Sequence, residues 1–233
     1  VDPAVEASRK IIDRFNQRHD QLAVAKSDSR AHHQFPSNWR LSSFSFDAFP
    51  MLNESGTIKT PQADKPAHLD MVEKIMAADS PVTLIMTGPL TDLARALQAN
   101  PDIQDKIDCL YWMGGCLDGH GNVNELGFDG TAEWNAFWDP EAVKTVFDSK
   151  LKIQMVGLES TEEIPLTKEL RFHWASLRKY PALDLIGQGY SLVLADEADS
   201  TYYLWDVLTT LSSLYPDLVT KTQETAKVET AGR

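Results

Sequence analysis

The chain has 233 residues, of which 42% are apolar and 24% charged, with a formal net charge of −12. That length supports one domain with a sizeable core. An acidic balance without any cluster of Lys and Arg excludes a nucleic-acid surface, which needs concentrated positive charge. No apolar run reaches the roughly 18 residues of a membrane helix, and the first residues do not read as a basic-then-apolar leader. The expected partner is therefore a small molecule, neither nucleic acid nor membrane, and the expected compartment is the cytoplasm. Cys109 and Cys116 read as reduced thiols, because disulfide frameworks belong to small secreted domains.

In chain order, Asp2-Pro3 opens a predicted helix running to about Phe15, with Val5, Ile11, Ile12 and Phe15 at near-helical spacing. Leu22 to Ala25 reads as a short strand. Residues 31–53 hold Pro36, Trp39, Phe44, Phe46, Phe49 and Pro50 with little periodicity, which predicts a long ordered loop of the kind that carries function. His68 to Ala78 reads as a helix and Val82 to Met86 as a buried strand. Thr87-Gly-Pro-Leu-Thr91 forms a turn into a helix over Leu90 to Ala99, and Ile107 to Met113 is the next strand. Asp139 caps a helix over 139–148, with Pro140 at its first position and Glu141 in its first turn. Leu151 to Val156 is a further strand. Beyond Leu166 the pattern turns helical, including Tyr202 to Leu214. Alternating β and α elements predict an α/β fold, a mostly parallel sheet flanked by helices.

One stretch carries the chemistry. Met113-Gly-Gly-Cys116 and Gly119-His-Gly-Asn122 form a glycine-rich loop leaving a strand. Glu133 and Asn135 follow two residues apart, just before the Asp139-capped helix. In an open α/β sheet, that order of strand, loop, paired polar side chains and helix marks a ligand site. His32, His33 and His120 do not combine with the two cysteines at zinc-ligand spacings. No nucleophile elbow, phosphate-binding loop or dinucleotide fingerprint is present.

Seven segments then occur in one order: Thr87-Gly-Pro-Leu-Thr91, Met113-Gly-Gly115, Gly121-Asn122, Ala132-Glu-Trp-Asn135, Asp139-Pro-Glu141, Val156-Gly-Leu-Glu-Ser-Thr161 and Trp205-Asp206. Together they resemble the inosine-uridine nucleoside hydrolases, calcium-dependent α/β enzymes that cleave the N-glycosidic bond of ribonucleosides. The spellings Phe35-Pro-x-x-Trp-Arg40, Asp129-Gly-Thr-Ala-Glu-Trp-Asn135 and Tyr202-Tyr-x-Trp-Asp206 are similar to the purine-preferring branch. The resemblance implies an open, Rossmann-like sheet lacking the family's first strand, a ribonucleoside substrate, and a homo-oligomer, dimer or tetramer.

It also implies roles. Glu133 and Asn135 would grip the ribose, where a carboxylate and an amide suit a sugar with several hydroxyls. Asn122 would contact the exocyclic hydroxymethyl side and share in catalysis, although an Asn after Gly is by default a turn residue. Thr87 would offer its backbone carbonyl to Ca²⁺, and Asp206 would ligate the same ion beside the ribose hydroxyls. Trp205 would stack on the base and raise its basicity, so that solvent protonates N7 and a neutral purine leaves. The other reading of Trp205 is a core side chain. Trp39 would supply the second stacking face or merely staple its loop, and Asp2 would touch the ribose or merely cap its helix. Family members begin with a strand and an Asp-x-Asp-x-x-x-Asp-Asp loop that supplies most calcium carboxylates and the water-activating Asp. This sequence begins after such a loop and ends, at Ala231-Gly-Arg233, before a further strand and closing helix. The expectation is thus one nucleoside hydrolase-like domain over 1–233, incomplete at both ends. Its alternative function is an inactive fragment, or a nucleoside- or ribose-binding module without the metal centre.

Overall fold

A computed structural model describes residues 2–16, 20–192 and 201–230. They form two compact units: Val1–Lys26, Phe35–Pro66 and Leu166–Tyr202 make unit 1, and Ser27–Gln34, Ala67–Pro165 and Tyr203–Arg233 make unit 2. In chain order the elements are α1 (Pro3–Phe15), α2 (Leu41–Asp47), α3 (Ala67–Ala77), β1 (Val82–Met86), α4 (Thr91–Ala99), β2 (Ile107–Met113), α5 (Trp134–Trp138), α6 (Pro140–Phe147), β3 (Ile153–Val156), α7 (Leu158–Thr161), α8 (Lys168–Ser176), α9 (Pro181–Ser191) and α10 (Trp205–Leu214).

Unit 2 holds the sheet, three parallel strands in the order β1-β2-β3 among the described residues. The parallel α/β architecture predicted from the alternating pattern is what forms. Met86 pairs with Trp112 and Met113 with Val156, so all three strands end along one edge. β2 is central and buried along most of its length, and Leu110 and Trp112 lie with Leu90, Leu93, Ile103, Val143 and Val146 in the main core. Each such fully buried side chain contributes roughly 1.5–3 kcal/mol. β1 is not the fully buried strand expected: Leu84 and Met86 pack against the core while Thr83 and Ile85 are exposed. A continuous apolar run cannot reveal that a strand has one covered face and one open one.

The helices around this sheet start where local chemistry dictates. Asp139 Oδ1 accepts the Ala142 N–H at 3.1 Å with Pro140 at the first position, as its spelling predicts. Its Oδ2 accepts the Thr91 hydroxyl at 2.7 Å, tying the start of α4 to the start of α6. Residues 27–34 join the unit through Arg95 Nη1 to Asp28 at 2.6 Å and the Ser29 hydroxyl to Asp92 at 2.5 Å.

In unit 1, α1 is capped by Asp2, whose Oδ1 accepts the Ala4 N–H at 3.2 Å. Ile11 and Phe15 of this helix pack with Phe46, Phe49, Leu52 and Leu185. Three expectations fail. Leu22 to Ala25 makes only an isolated parallel bridge, Val24 to Gln62, because no neighbouring segment extends the ladder. The supposed loop over 31–53 contains α2 and a 3-10 turn at Pro50–Leu52. Seven residues are too few to show helical periodicity when Phe46 packs inward and Leu41 and Phe44 remain exposed. The last helix starts at Trp205 rather than Tyr202, after a single antiparallel bridge between Pro165 and Tyr203.

Asp139→Ala removes both a helix cap and the α4–α6 link. It should lower the free energy of unfolding by about 1–3 kcal/mol, measured as a shift in the urea midpoint at unchanged slope.

Candidate functional site

The candidate site grows from the turns that leave the three strand ends. Trp112, at the end of β2, donates its indole N–H to Gly88 O at 3.1 Å, joining the β1 and β2 turns. Beyond β2 the chain passes through Gly114 and Gly115. Gly114 lies against the Trp112 ring, where a Cβ would come within 2.2 Å of it, and Gly115 has φ +76°. Leu158, at the start of α7 just after β3, donates its N–H to Gly115 O at 3.1 Å.

Glu133 reaches into this junction and is 3% exposed. It caps α5, its carboxylate accepting the N–H groups of Asn135 at 2.9 Å and Ala136 at 3.1 Å, and that of Gly115 at 2.8 Å. A carboxylate offers about four lone-pair directions, so three are spent and one remains. Burial pushes the Glu133 carboxyl up to about 7; the three N–H groups oppose that, and Asp206 nearby adds to it. Nothing in the loop composition signals a Glu N-cap, since caps favour shorter side chains.

The asparagines are half spent. Asn135 is buried and donates through Nδ2 to Met113 O at 3.0 Å and to its sulfur at 3.3 Å, leaving Oδ1 as an acceptor. Asn122 accepts the Trp134 N–H through Oδ1 at 3.0 Å, leaving its Nδ2 donors. The loop carrying Asn122 folds back on Ala132, whose carbonyl accepts both the Asn122 and Val123 N–H groups. Gly121 is required there, because a Cβ would fall 2.1 Å from Ala132 O.

Trp205 and Asp206 open α10. Asp206 is exposed by residue, yet burial alone pushes its carboxyl up to about 6. Solvent reaches it, while protein surrounds it enough to weaken hydration. Its influence on Glu133 places the two carboxyls in one electrostatic neighbourhood. Trp205 is half-buried and lies edge-on to Tyr203, with ring centres 5.8 Å apart. Thr87 is exposed immediately after β1. Asp2 and Trp39 belong to unit 1: Asp2 is the α1 cap described above, with Lys26 Nζ 3.6 Å away, and Trp39 is 43% exposed and edge-on to Phe35. Cys109 and Cys116 are both free thiols.

The family model for inosine-uridine preferring nucleoside hydrolases matches residues 1–233. The chain belongs to that family. An inosine-uridine preferring nucleoside hydrolase from Bacillus anthracis shares 49% identity at a TM-score of 0.87, over 93% of this chain and 69% of that one. A purine-preferring ribonucleoside hydrolase from Gardnerella vaginalis is 25% identical at a TM-score of 0.68, over 94% and 69%. A probable uridine nucleosidase from Arabidopsis thaliana is 30% identical over 70% of this chain and half of its own length. The chain thus spans only half the length of that curated relative.

Calcium, expected from the family, does not fit the described residues. Among them, no group of three or more His, Cys, Asp or Glu is arranged to hold a metal ion. Three of Glu133's lone-pair directions are taken by backbone N–H groups, leaving chiefly the Thr87 carbonyl and Asp206. These offer at most about three oxygens, where Ca²⁺ takes six to eight.

The raised carboxyls make stability depend on pH with a definite sign. Glu133 favours the folded state fully below about pH 4.5, and that contribution is lost as pH rises through about 7. The difference corresponds to roughly 3 kcal/mol. Asp13, Asp28, Asp118 and Asp184 are held below the usual carboxylate range, so their opposing contributions are lost only at more acid pH. Within pH 5.5–8 His33, pushed down by burial, opposes this trend, while His120, raised by Asp118, and Asp206, raised to about 6, add to it. The melting temperature should fall as pH rises across that range, and Glu133→Gln should flatten that slope. A flat or rising profile for the parent chain would contradict the assignment.

Proposed function

We propose that the chain serves hydrolysis of the N-glycosidic bond of ribonucleosides to free base and ribose, with purine bases preferred. One observation carries this reading. At the C-terminal edge of the sheet, Glu133, Asn135, Asn122 and Asp206 all keep polar valences that the described residues do not consume. The remaining Glu133 direction, Asn135 Oδ1 and the Asp206 carboxylate accept, while Asn122 Nδ2 donates. A ribose, with several hydroxyls that both donate and accept, matches such a mixed set.

These groups would act by differential binding. As the glycosidic bond lengthens, positive charge builds on the sugar ring, and acceptor carboxylates near it hold the oxocarbenium-like state more tightly than the ground state. Trp205 beside Asp206 would stack on the base, raising the basicity of a purine so that solvent protonates N7. The purine preference rests on Trp205, since the named relatives span inosine, uridine and purine activities. Ca²⁺ and a dimeric or tetrameric assembly are proposed from family membership alone.

The missing metal cage among the described residues favours a second reading, a nucleoside-binding module without turnover. Two measurements on the 233-residue chain separate them: ribose release from inosine, and calorimetric binding of inosine with and without Ca²⁺. Release supports hydrolysis; metal-independent binding without release supports the module; neither overturns both. Trp205→Ala should weaken inosine binding or turnover at least tenfold while changing uridine far less. Equal behaviour of the parent chain toward inosine and uridine would remove the purine preference.

A further inference from the structure

Glu159 has no part in the roles above, yet it holds the same turn that Glu133 holds. It lies in the first turn of α7, directly after β3, and is exposed. Its Oε1 accepts the N–H of Leu117 and, at 3.1 Å, that of Asp118. Two residues earlier in that turn, Gly115 donates its N–H to Glu133 Oε2 at 2.8 Å and accepts the Leu158 N–H at 3.1 Å. Residues 115–118 are therefore suspended between two carboxylates, one capping α5 and one on α7. The strand end that carries Glu159 is shaped for this approach. A Cβ on Gly157 would lie 2.7 Å from Glu159 Oε2 and 3.0 Å from Gly115 O.

We propose that Glu159 is a positioning residue for the sugar clamp: by fixing the Leu117 and Asp118 amides it holds the Gly115 N–H on Glu133 and so sets the direction in which the Glu133 carboxylate offers its remaining lone pair. The structural part stands on the hydrogen bonds alone; its consequence for ribonucleosides rests on the function proposed above. Both amides bind the same oxygen, Oε1, so an amide side chain of equal length keeps the contact. A side chain shorter by one methylene does not reach both.

The experiment uses the 233-residue chain with Glu159→Ala, Glu159→Asp, Glu159→Gln and, as a control, Glu163→Gln at an exposed site elsewhere. Amide hydrogen exchange is followed residue by residue, and inosine binding by calorimetry. In Glu159→Ala and Glu159→Asp, exchange should accelerate at least tenfold at Leu117 and Asp118, and also at Gly115, whose N–H is held by Glu133 and not by Glu159. Inosine binding should weaken at least fivefold in both, and Glu159→Gln should restore exchange and binding to within about threefold of the parent. Should Glu159→Ala fail to fold, Glu159→Asp carries the same expectation. Acceleration confined to Leu117 and Asp118, with Gly115 unchanged, overturns the positioning role whatever the ligand. A Glu159→Gln variant as impaired as Glu159→Asp overturns it too. Loosening of Gly115 in a chain that binds no inosine upholds the positioning of Glu133 and sinks the nucleoside reading instead.

Discussion

A carboxylate buried at 3% exposure is costly unless its charge is answered, and here backbone N–H groups answer it. Glu133 accepts from Asn135 and Ala136 on its own helix and from Gly115 on the turn after β2. Those donors would otherwise be orphaned where a helix starts and a strand ends. The rest of the site depends on this exchange. It brings α5 against the end of β2, where Asn135 then finds the Met113 carbonyl. It also allows the Asn122 loop to close on Trp134. The answer is incomplete, however, because burial still outweighs the three hydrogen bonds and the carboxyl stays near 7. A site built this way favours protons, hydroxyl donors or positive charge developing nearby.

What the sequence revealed, and what it hid, divides along the range of the interactions. The Asp139-Pro140-Glu141 spelling specifies a helix start within four residues, and that cap forms as written. The strands Ile107–Met113 and Val82–Met86 are legible because a short apolar run between turns has few alternatives. The same Asp139 also accepts from Thr91, 48 residues away, and no local pattern encodes that. α5 went unforeseen because its cap is a glutamate, whose longer side chain usually forfeits the capping role. α2 was hidden by its length, and the Val24 bridge by the absence of any extended partner.

The candidate site was read from the sequence in a different way. Glu133, Asn135, Asn122 and Asp206 are candidates by their place in an ordered series of motifs. The structure adds which of their atoms are already spent. Asn135 is a buried strut, and Glu133 a cap before anything else. Asp2 is likewise a cap and Trp39 an exposed neighbour of Phe35, each within unit 1. Spelling identifies a residue but not its division between architecture and chemistry, because that division is set by partners that arrive through tertiary packing. Glu159 shows the point from the other side. It lay inside a recognised motif without any role, and its contacts with Leu117 and Asp118 become visible only once two strand ends stand side by side.

Two carboxyls, on α5 and α10, are raised for related but different reasons, and the difference bears on what the site can hold. Glu133 is raised despite three donors, so its surroundings are both apolar and structured. Asp206 is raised by burial, with no hydrogen-bond donor on its carboxylate among the described residues, so its capacity remains unspent among them. A cation placed between them would lower both values at once, and so would a polyol whose hydroxyls donate to each. A ribose bound as proposed would meet that electrostatic need without a full complement of metal ligands. Ribose recognition can therefore be argued from the described residues, whereas the metal-dependent chemistry requires ligands beyond those they bring together.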